Sequence, residues 1–141
     1  ERGGVGHPPG LDLLGPADAE RLPIFSLRFR SDKGELHYGF VVRLLNDLFG
    51  IQARGGCSCA GPYGHTLLDL TPEHSEVLAA EVRRGFGCLR PGWVRFNLHW
   101  LCTEEEADYV LRAMALFARW GWRLVPLLDT TTGLWQYRAF Q

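Results

Sequence analysis

Two segments in which apolar and polar residues alternate constrain the fold of this chain more than any other feature. They cover residues 24–30 and 93–100, and a period of two places one side of each segment in a core and the other near water. The predicted apolar sides carry Phe25, Leu27, Phe29, Val94, Phe96, Leu98 and Trp100. Both segments are therefore predicted to be β-strands, and a polar turn at 31–34 is predicted to follow the first.

Three other segments are predicted to be helices: the first and last from a 3.6-residue apolar period, and the second from Thr71 as N-cap followed by Pro72. They cover residues 40–49, about 71–84 and about 103–120. Gly50 is expected to end the first helix, and Thr103 with Glu106 is expected to form a capping box at the start of the last. The order of elements predicts an α+β domain with a small, mostly antiparallel sheet that is covered by helices on one face.

The composition fits one folded domain of 141 residues, of which 46% are hydrophobic and 22% are charged. Residues 1–22 are rich in glycine and proline and are predicted to be a linker or tail, which leaves 23–141 as the domain. A net charge of -1 argues against nucleic-acid or membrane-surface binding. No apolar run approaches a membrane span and the four cysteines are too few for a disulfide scaffold, so we expect free thiols and a cytoplasmic protein.

Residues 54–65 form the stretch whose composition demands the most unusual backbone. Four glycines and one proline predict a shaped loop there and argue against a regular helix. The stretch also carries Arg54, Cys57, Cys59 and His65. Three interpretations are open: small buried thiols in a tight connection, three ligands of a zinc site, or a thiol activated by a positive neighbour and backbone N–H groups.

The predicted polar side of the second strand is a second candidate site. Arg95, Asn97 and His99 alternate along it. An arginine can bind a carboxylate through two parallel hydrogen bonds. The pattern fits a carboxylate-binding wall and equally fits a solvated face of a sheet.

The loop resembles the Arg-x-Gly-x-x-Cys-Ala-x-Pro loop of group II cysteine desulfurases in its run Arg54-Gly55-Gly56-Cys57-Ser58-Cys59-Ala60-Gly61-Pro62. These enzymes belong to the class V aminotransferase branch of the fold type I pyridoxal-phosphate enzymes. The run Arg95-Phe96-Asn97 is similar to a downstream Arg-x-Ser/Asn strand of the same family. The resemblance covers about residues 20–127 and implies that Cys59 is the persulfide-forming nucleophile and that Arg95 binds the substrate carboxylate. Candidate supporting residues are Arg54, Cys57, His65 and Asn97.

The resemblance also implies what this chain lacks. In the family the lysine that anchors pyridoxal phosphate lies in a large domain, whereas the single lysine here, Lys33, is predicted to lie in a polar turn. We therefore expect residues 23–141 to be the small C-terminal domain of a longer enzyme, homodimeric as a whole, that acts on an amino acid. By itself the chain is expected to bind no cofactor and to be inactive. A transaminase or another lyase would not need Cys59, and a free-standing interaction or sulfur-carrier module without cofactor is the alternative.

Overall fold

The computed structural model describes residues 9–16, 20–57, 61–129 and 135–137. Within these ranges the chain is an α+β protein, with a five-stranded antiparallel sheet and four α-helices, so the predicted fold class is confirmed. The strands are β1 (Leu11–Leu13), β2 (Ile24–Ser31), β3 (Gly34–Leu36), β4 (Arg54–Gly56), β5 (Trp93–Asn97), β6 (Leu128–Asp129) and β7 (Gln136–Tyr137). The helices are α1 (Tyr38–Phe49), α2 (Gly61–Leu68), α3 (Pro72–Arg83) and α4 (Glu104–Trp120), with 3-10 helices at Gly87–Leu89 and Gly121–Leu127.

The larger sheet is built around β2. Its strands follow the order β1-β2-β5-β4, β3 also pairs with β2, and β6 and β7 form a separate pair. The alternation predicted for β2 and β5 is confirmed, because Leu27 lies opposite Val94 and both side chains are buried. The apolar residues of the two strands therefore share one face of the sheet.

The core lies between this apolar face and two of the helices, α1 and α4. Their buried residues are Phe40, Val41, Leu44, Leu45, Ala113, Met114, Phe117 and Ala118. The ring of Phe117 packs edge-on against that of Phe29, with 5.8 Å between the centroids. The hydroxyl of Tyr109 on α4 donates a hydrogen bond of 2.8 Å to the carbonyl oxygen of Phe49 at the end of α1. The polar residues of β5 point away from this core.

The predicted helix ends are confirmed where a local capping interaction defines them. Thr103 and Glu106 form the capping box of α4, with the Thr103 hydroxyl accepting from the Glu106 N–H at 3.2 Å. Thr71 caps α3 in the same way, through the N–H of His74. Gly50 ends α1 with a φ of 67°, a left-handed conformation that favours glycine.

The prediction of a linker or tail at 1–22 is wrong for Leu11–Leu13. These residues form β1, in which Leu11 pairs with Phe29 and Leu13 with Leu27. Backbone hydrogen bonds to β2 hold this edge strand, and a strand of three residues is too short to show a hydrophobic period. Residues 1–8 and 17–19 lie outside the described residues.

The prediction that 54–65 is a loop without regular structure is also wrong. Residues 54–56 form β4, and a helix begins at Gly61. Pro62 favours this helix because it lies in the first turn, where its missing N–H would have no intrahelical partner. Of the glycines that suggested an irregular loop, Gly55 allows close packing against the Tyr38 ring, whereas Gly56 and Gly61 have open space around them.

The second predicted strand is shorter than residues 93–100. Asn97, its last residue, pairs with Ile24, the first residue of β2, so the ladder ends where β2 begins. Trp100 therefore leaves the apolar face, and its side chain is 81% exposed. On α1, Leu48 belongs to the predicted apolar stripe but is exposed.

Candidate functional site

A cleft lies at the β4 edge of the sheet, beside the start of β5. It has a volume of 460 Å³ and is lined by Tyr38, Arg54, Gly55, Gly56, Cys57, Arg90 and Arg95. Pockets that bind small molecules have volumes of about 300–1,000 Å³. Three of these lining residues are positively charged, and none is an aspartate or glutamate. The cleft is therefore suited to a small anion.

Two of the three arginines face each other across the sheet. Arg54 on β4 lies directly opposite Arg95 on β5. Side chains in such a pair share a face of the sheet, and like charges in this position are destabilising. Ser26, which flanks Arg95 on β2, is uncharged. Among the described residues, neither arginine forms an ion pair with a carboxylate.

The third arginine, Arg90, lies in the connection before β5 and affects the pKa of Tyr38. Burial raises the pKa of Tyr38, and the positive charge of Arg90 partly offsets this by lowering it, while Cys57 raises it further. The net direction is upward, so the phenol keeps its proton at neutral pH. Tyr38 is then a hydrogen-bond donor at the wall of the cleft.

Two glycines allow the ring of Tyr38 to pack against the backbone of β4 and β5. A Cβ added at Gly55 would lie 2.6 Å from Cδ2 of the ring. A Cβ added at Gly92 would lie 2.7 Å from Cε1 of the ring and 2.7 Å from the backbone Cα of Gly56. A side chain at either position would push the ring or the strand aside, so these glycines shape the cleft.

Cys57 is a free and exposed thiol in the lining of this cleft. The interpretation of residue 57 as a small buried thiol is therefore wrong. Cys59, the predicted nucleophile, lies outside the described residues, and its role stays a prediction. The structure thus brings together Arg54, Cys57 and Arg95 of the predicted site.

Two predicted site residues do not line the cleft. Nε2 of His65 lies 2.9 Å from the Ser75 hydroxyl and joins α2 to α3. Asn97 is exposed at the end of β5. His99, the third residue of the predicted polar wall, lies beyond the strand, where its Nδ1 accepts a hydrogen bond of 3.2 Å from the N–H of Leu101. These side chains have local structural contacts or face solvent.

Two lining residues of the cleft, Tyr38 and Arg90, belong to no motif that singles them out. Tyr38 is the first residue of α1, so its place in the sequence indicates only a helix residue. Arg90 lies in a connection between two elements. The only signal in the sequence is weak: Arg90 stands before Pro91 and Gly92, which lead into the strand that carries Arg95.

Lys33, the single lysine of the chain, does not line the cleft. Lys33 lies in the turn between β2 and β3, its side chain is 67% exposed, and its Nζ is 3.5 Å from Asp32. The expectation that Lys33 does not anchor the cofactor stays a prediction. Nor do His, Cys, Asp and Glu side chains gather in groups of three that could hold a metal ion, within the ranges described. The zinc interpretation includes Cys59, which lies outside the described residues, so it stays a prediction.

Comparison with models of known protein families gives no match for the chain. Comparison with curated proteins gives none either. The likeness to pyridoxal-phosphate enzymes therefore rests on the residues quoted for it.

Of the helices in the described ranges, none combines the length and the apolar character needed to cross a bilayer.

Proposed function

We propose that this chain is the small domain of a pyridoxal-phosphate enzyme of the class V aminotransferase or cysteine desulfurase type, and that its cleft binds the carboxylate of an amino-acid substrate. The observation that carries the proposal is the cluster of Arg54, Arg90 and Arg95 in one cleft with no acidic lining residue. Arg95 is the residue that both the resemblance and the geometry favour for this role.

The chemistry of the cleft supports binding and positioning of a substrate. A guanidinium group can donate two parallel hydrogen bonds to a carboxylate, which fixes the orientation of the ligand as well as its position. The cofactor, when bound by the missing large domain, supplies the electron sink for the reaction. A desulfurase needs a nucleophilic thiol in addition, and Cys59 is proposed for that role. The enzyme is further proposed to be a cytoplasmic homodimer.

The proposal is tested on the complete product of the gene that encodes this chain. After addition of pyridoxal phosphate, the protein is expected to take up the cofactor and to convert amino acids. Arg95→Gln should leave cofactor uptake unchanged and weaken amino-acid binding about 30-fold or more, because a charge-assisted contact is worth about 2 kcal/mol or more. Arg83→Gln, at the exposed end of α3, is the matched control and should change neither quantity.

Three outcomes separate the alternatives. Failure of the complete protein to take up the cofactor would refute the enzyme and favour the interaction or sulfur-carrier module. Cofactor uptake with an unaffected Arg95→Gln variant would refute the assignment of the carboxylate site. If the enzyme is confirmed, Cys59→Ser distinguishes the reaction types. Loss of sulfur release with unchanged substrate binding supports a desulfurase. A Cys59→Ser variant with unchanged activity supports a transaminase or another lyase.

A further inference from the structure

Within the described residues, the three arginines of the cleft have no acidic partner, whereas five of the nine other arginines there do. Elsewhere in the described ranges, five arginines form ion pairs with carboxylates: Arg28 with Glu35, Arg30 with Asp12, Arg43 with Asp47, Arg84 with Glu81 and Arg112 with Asp108. None of the three cleft arginines has such a pair within the same residues. The cleft therefore concentrates three positive charges that the described part of the chain does not neutralise.

A single carboxylate does not match this charge. One carboxylate carries one negative charge, which one guanidinium group already neutralises through a bidentate contact. With Arg95 bound to it, Arg54 and Arg90 would still repel each other and Arg95. A ligand with two anionic groups brings the net charge of the occupied cleft closer to neutral.

The three arginines reach the cleft from different parts of the backbone. Arg54 and Arg95 are neighbours on the strands and form one position. Arg90 comes from the connection before β5 and lines the cleft together with Tyr38, whose phenol its charge influences. The ring of Tyr38 is held in place by Gly55 and Gly92, so the second position has a fixed wall and a hydroxyl donor.

We propose that the cleft binds a ligand with two carboxylate-type groups, one at Arg54 and Arg95 and the other at Arg90 and Tyr38. This inference rests on the proposed function and specifies its substrate class: an amino acid with an acidic side chain. The α-carboxylate binds at Arg95, and the acidic group of the side chain binds at Arg90. Arg90 is then the residue that determines specificity between acidic and neutral amino acids.

The test uses succinate and butyrate, which have the same number of carbon atoms and differ in the second carboxylate. Binding of each to the 141-residue chain is measured by isothermal titration calorimetry at low ionic strength. Succinate is expected to bind about tenfold more tightly than butyrate or better. Arg90→Gln should reduce the affinity for succinate to that for butyrate and leave butyrate unchanged. Arg95→Gln should weaken both, and the Arg83→Gln control should weaken neither.

The outcomes distinguish this inference from the proposed function. Equal binding of succinate and butyrate, both weakened by Arg95→Gln, would overturn the inference and leave the carboxylate site in place. Absence of any binding that depends on Arg95 would overturn both. Inorganic phosphate that binds more tightly than succinate would overturn the inference in favour of a phosphate site. Circular dichroism of each variant shows whether it is folded, and Arg90→Lys, which keeps the charge without the fork, should have an intermediate affinity for succinate.

Discussion

Replacement of Arg54 by glutamine is expected to stabilise the protein, although most substitutions destabilise. Arg54 and Arg95 are directly opposite on neighbouring strands, so their charges repel in the folded state and are far apart in the unfolded chain. Glutamine keeps a long polar side chain and removes one of the two charges. The free energy of unfolding should therefore rise in the absence of a bound anion.

The size of the effect follows from the exposure of Arg54, which places the pair in a largely aqueous environment. Two unit charges about 6 Å apart in water repel by about 0.7 kcal/mol. Cross-strand pairs contribute about 0.2–1 kcal/mol, which agrees with that value. For a chain of this size we expect the melting temperature of Arg54→Gln to rise by about 1–3 °C at low ionic strength.

Two measurements show whether repulsion is the cause. Because salt at about 1 M shortens the Debye length to about 3 Å, the gain in stability should nearly vanish there. Saturating succinate should reverse its sign, since the wild-type protein is stabilised by a ligand that the variant binds less tightly. The experiment is urea unfolding monitored by circular dichroism, with Arg83→Gln as control. A loss of stability in Arg54→Gln at low ionic strength, or a gain that is independent of salt, would refute the reasoning.

Three further predictions concern the walls of the cleft and the start of α1. In urea unfolding, Gly92→Ala should lower the free energy of unfolding by about 1–3 kcal/mol, because its Cβ would meet the β4 backbone. Gly61 has open space around it, so the control Gly61→Ala should change this free energy by less than about 0.5 kcal/mol. Burial lowers the pKa of His37 from its ordinary value of 6.5, so its contribution to stability should be complete above pH 6.5 and decline as the pH falls below it. Nδ1 of His37 accepts a hydrogen bond of 3.0 Å from the Gly39 N–H at the start of α1, and the side-chain oxygen of Asn can replace it. His37→Asn should therefore show a flatter pH dependence in thermal melts across this range, and an unchanged slope would exclude His37 as the cause. The rate of Cys57 alkylation is measured by peptide mass spectrometry with anionic iodoacetate and with neutral iodoacetamide. Added salt should slow the reaction with iodoacetate about 3- to 10-fold more than the reaction with iodoacetamide. An equal salt dependence of the two rates would contradict a positive cleft.

The elements that the sequence predicts correctly are those with a local cause. The alternation of β2 and β5 and the apolar stripe of α4 record which side of each element is buried. The capping box of Thr103 and Glu106 and the left-handed Gly50 act within one turn of their helices, so they are visible in a short stretch of sequence. The sequence also identifies Arg95 and Arg54 as candidate site residues. One lies in a predicted strand and the other beside a glycine-rich run, and an arginine in either place can bind an anion.

The errors have non-local causes. β1 exists because β2 offers it an edge to pair with, and β5 stops at Asn97 because β2 begins opposite that residue. Trp100 is exposed for the same reason, although its position in the alternating pattern predicts a buried side chain. Pairing between strands is decided by residues far away along the chain, so a local pattern cannot set where a strand ends.

The sequence by itself determined the fold class, the helix caps and the two alternating strands, because each depends on residues within a few positions of one another. Only the tertiary structure decided the composition of the cleft. The β4–β5 register places Arg54 opposite Arg95, the connection before β5 brings Arg90 to them, and the close approach allowed by Gly92 sets Tyr38 beside them. A cleft of this kind depends on distance in space, and the three positive charges that line it lie up to 41 positions apart along the chain, from Arg54 to Arg95.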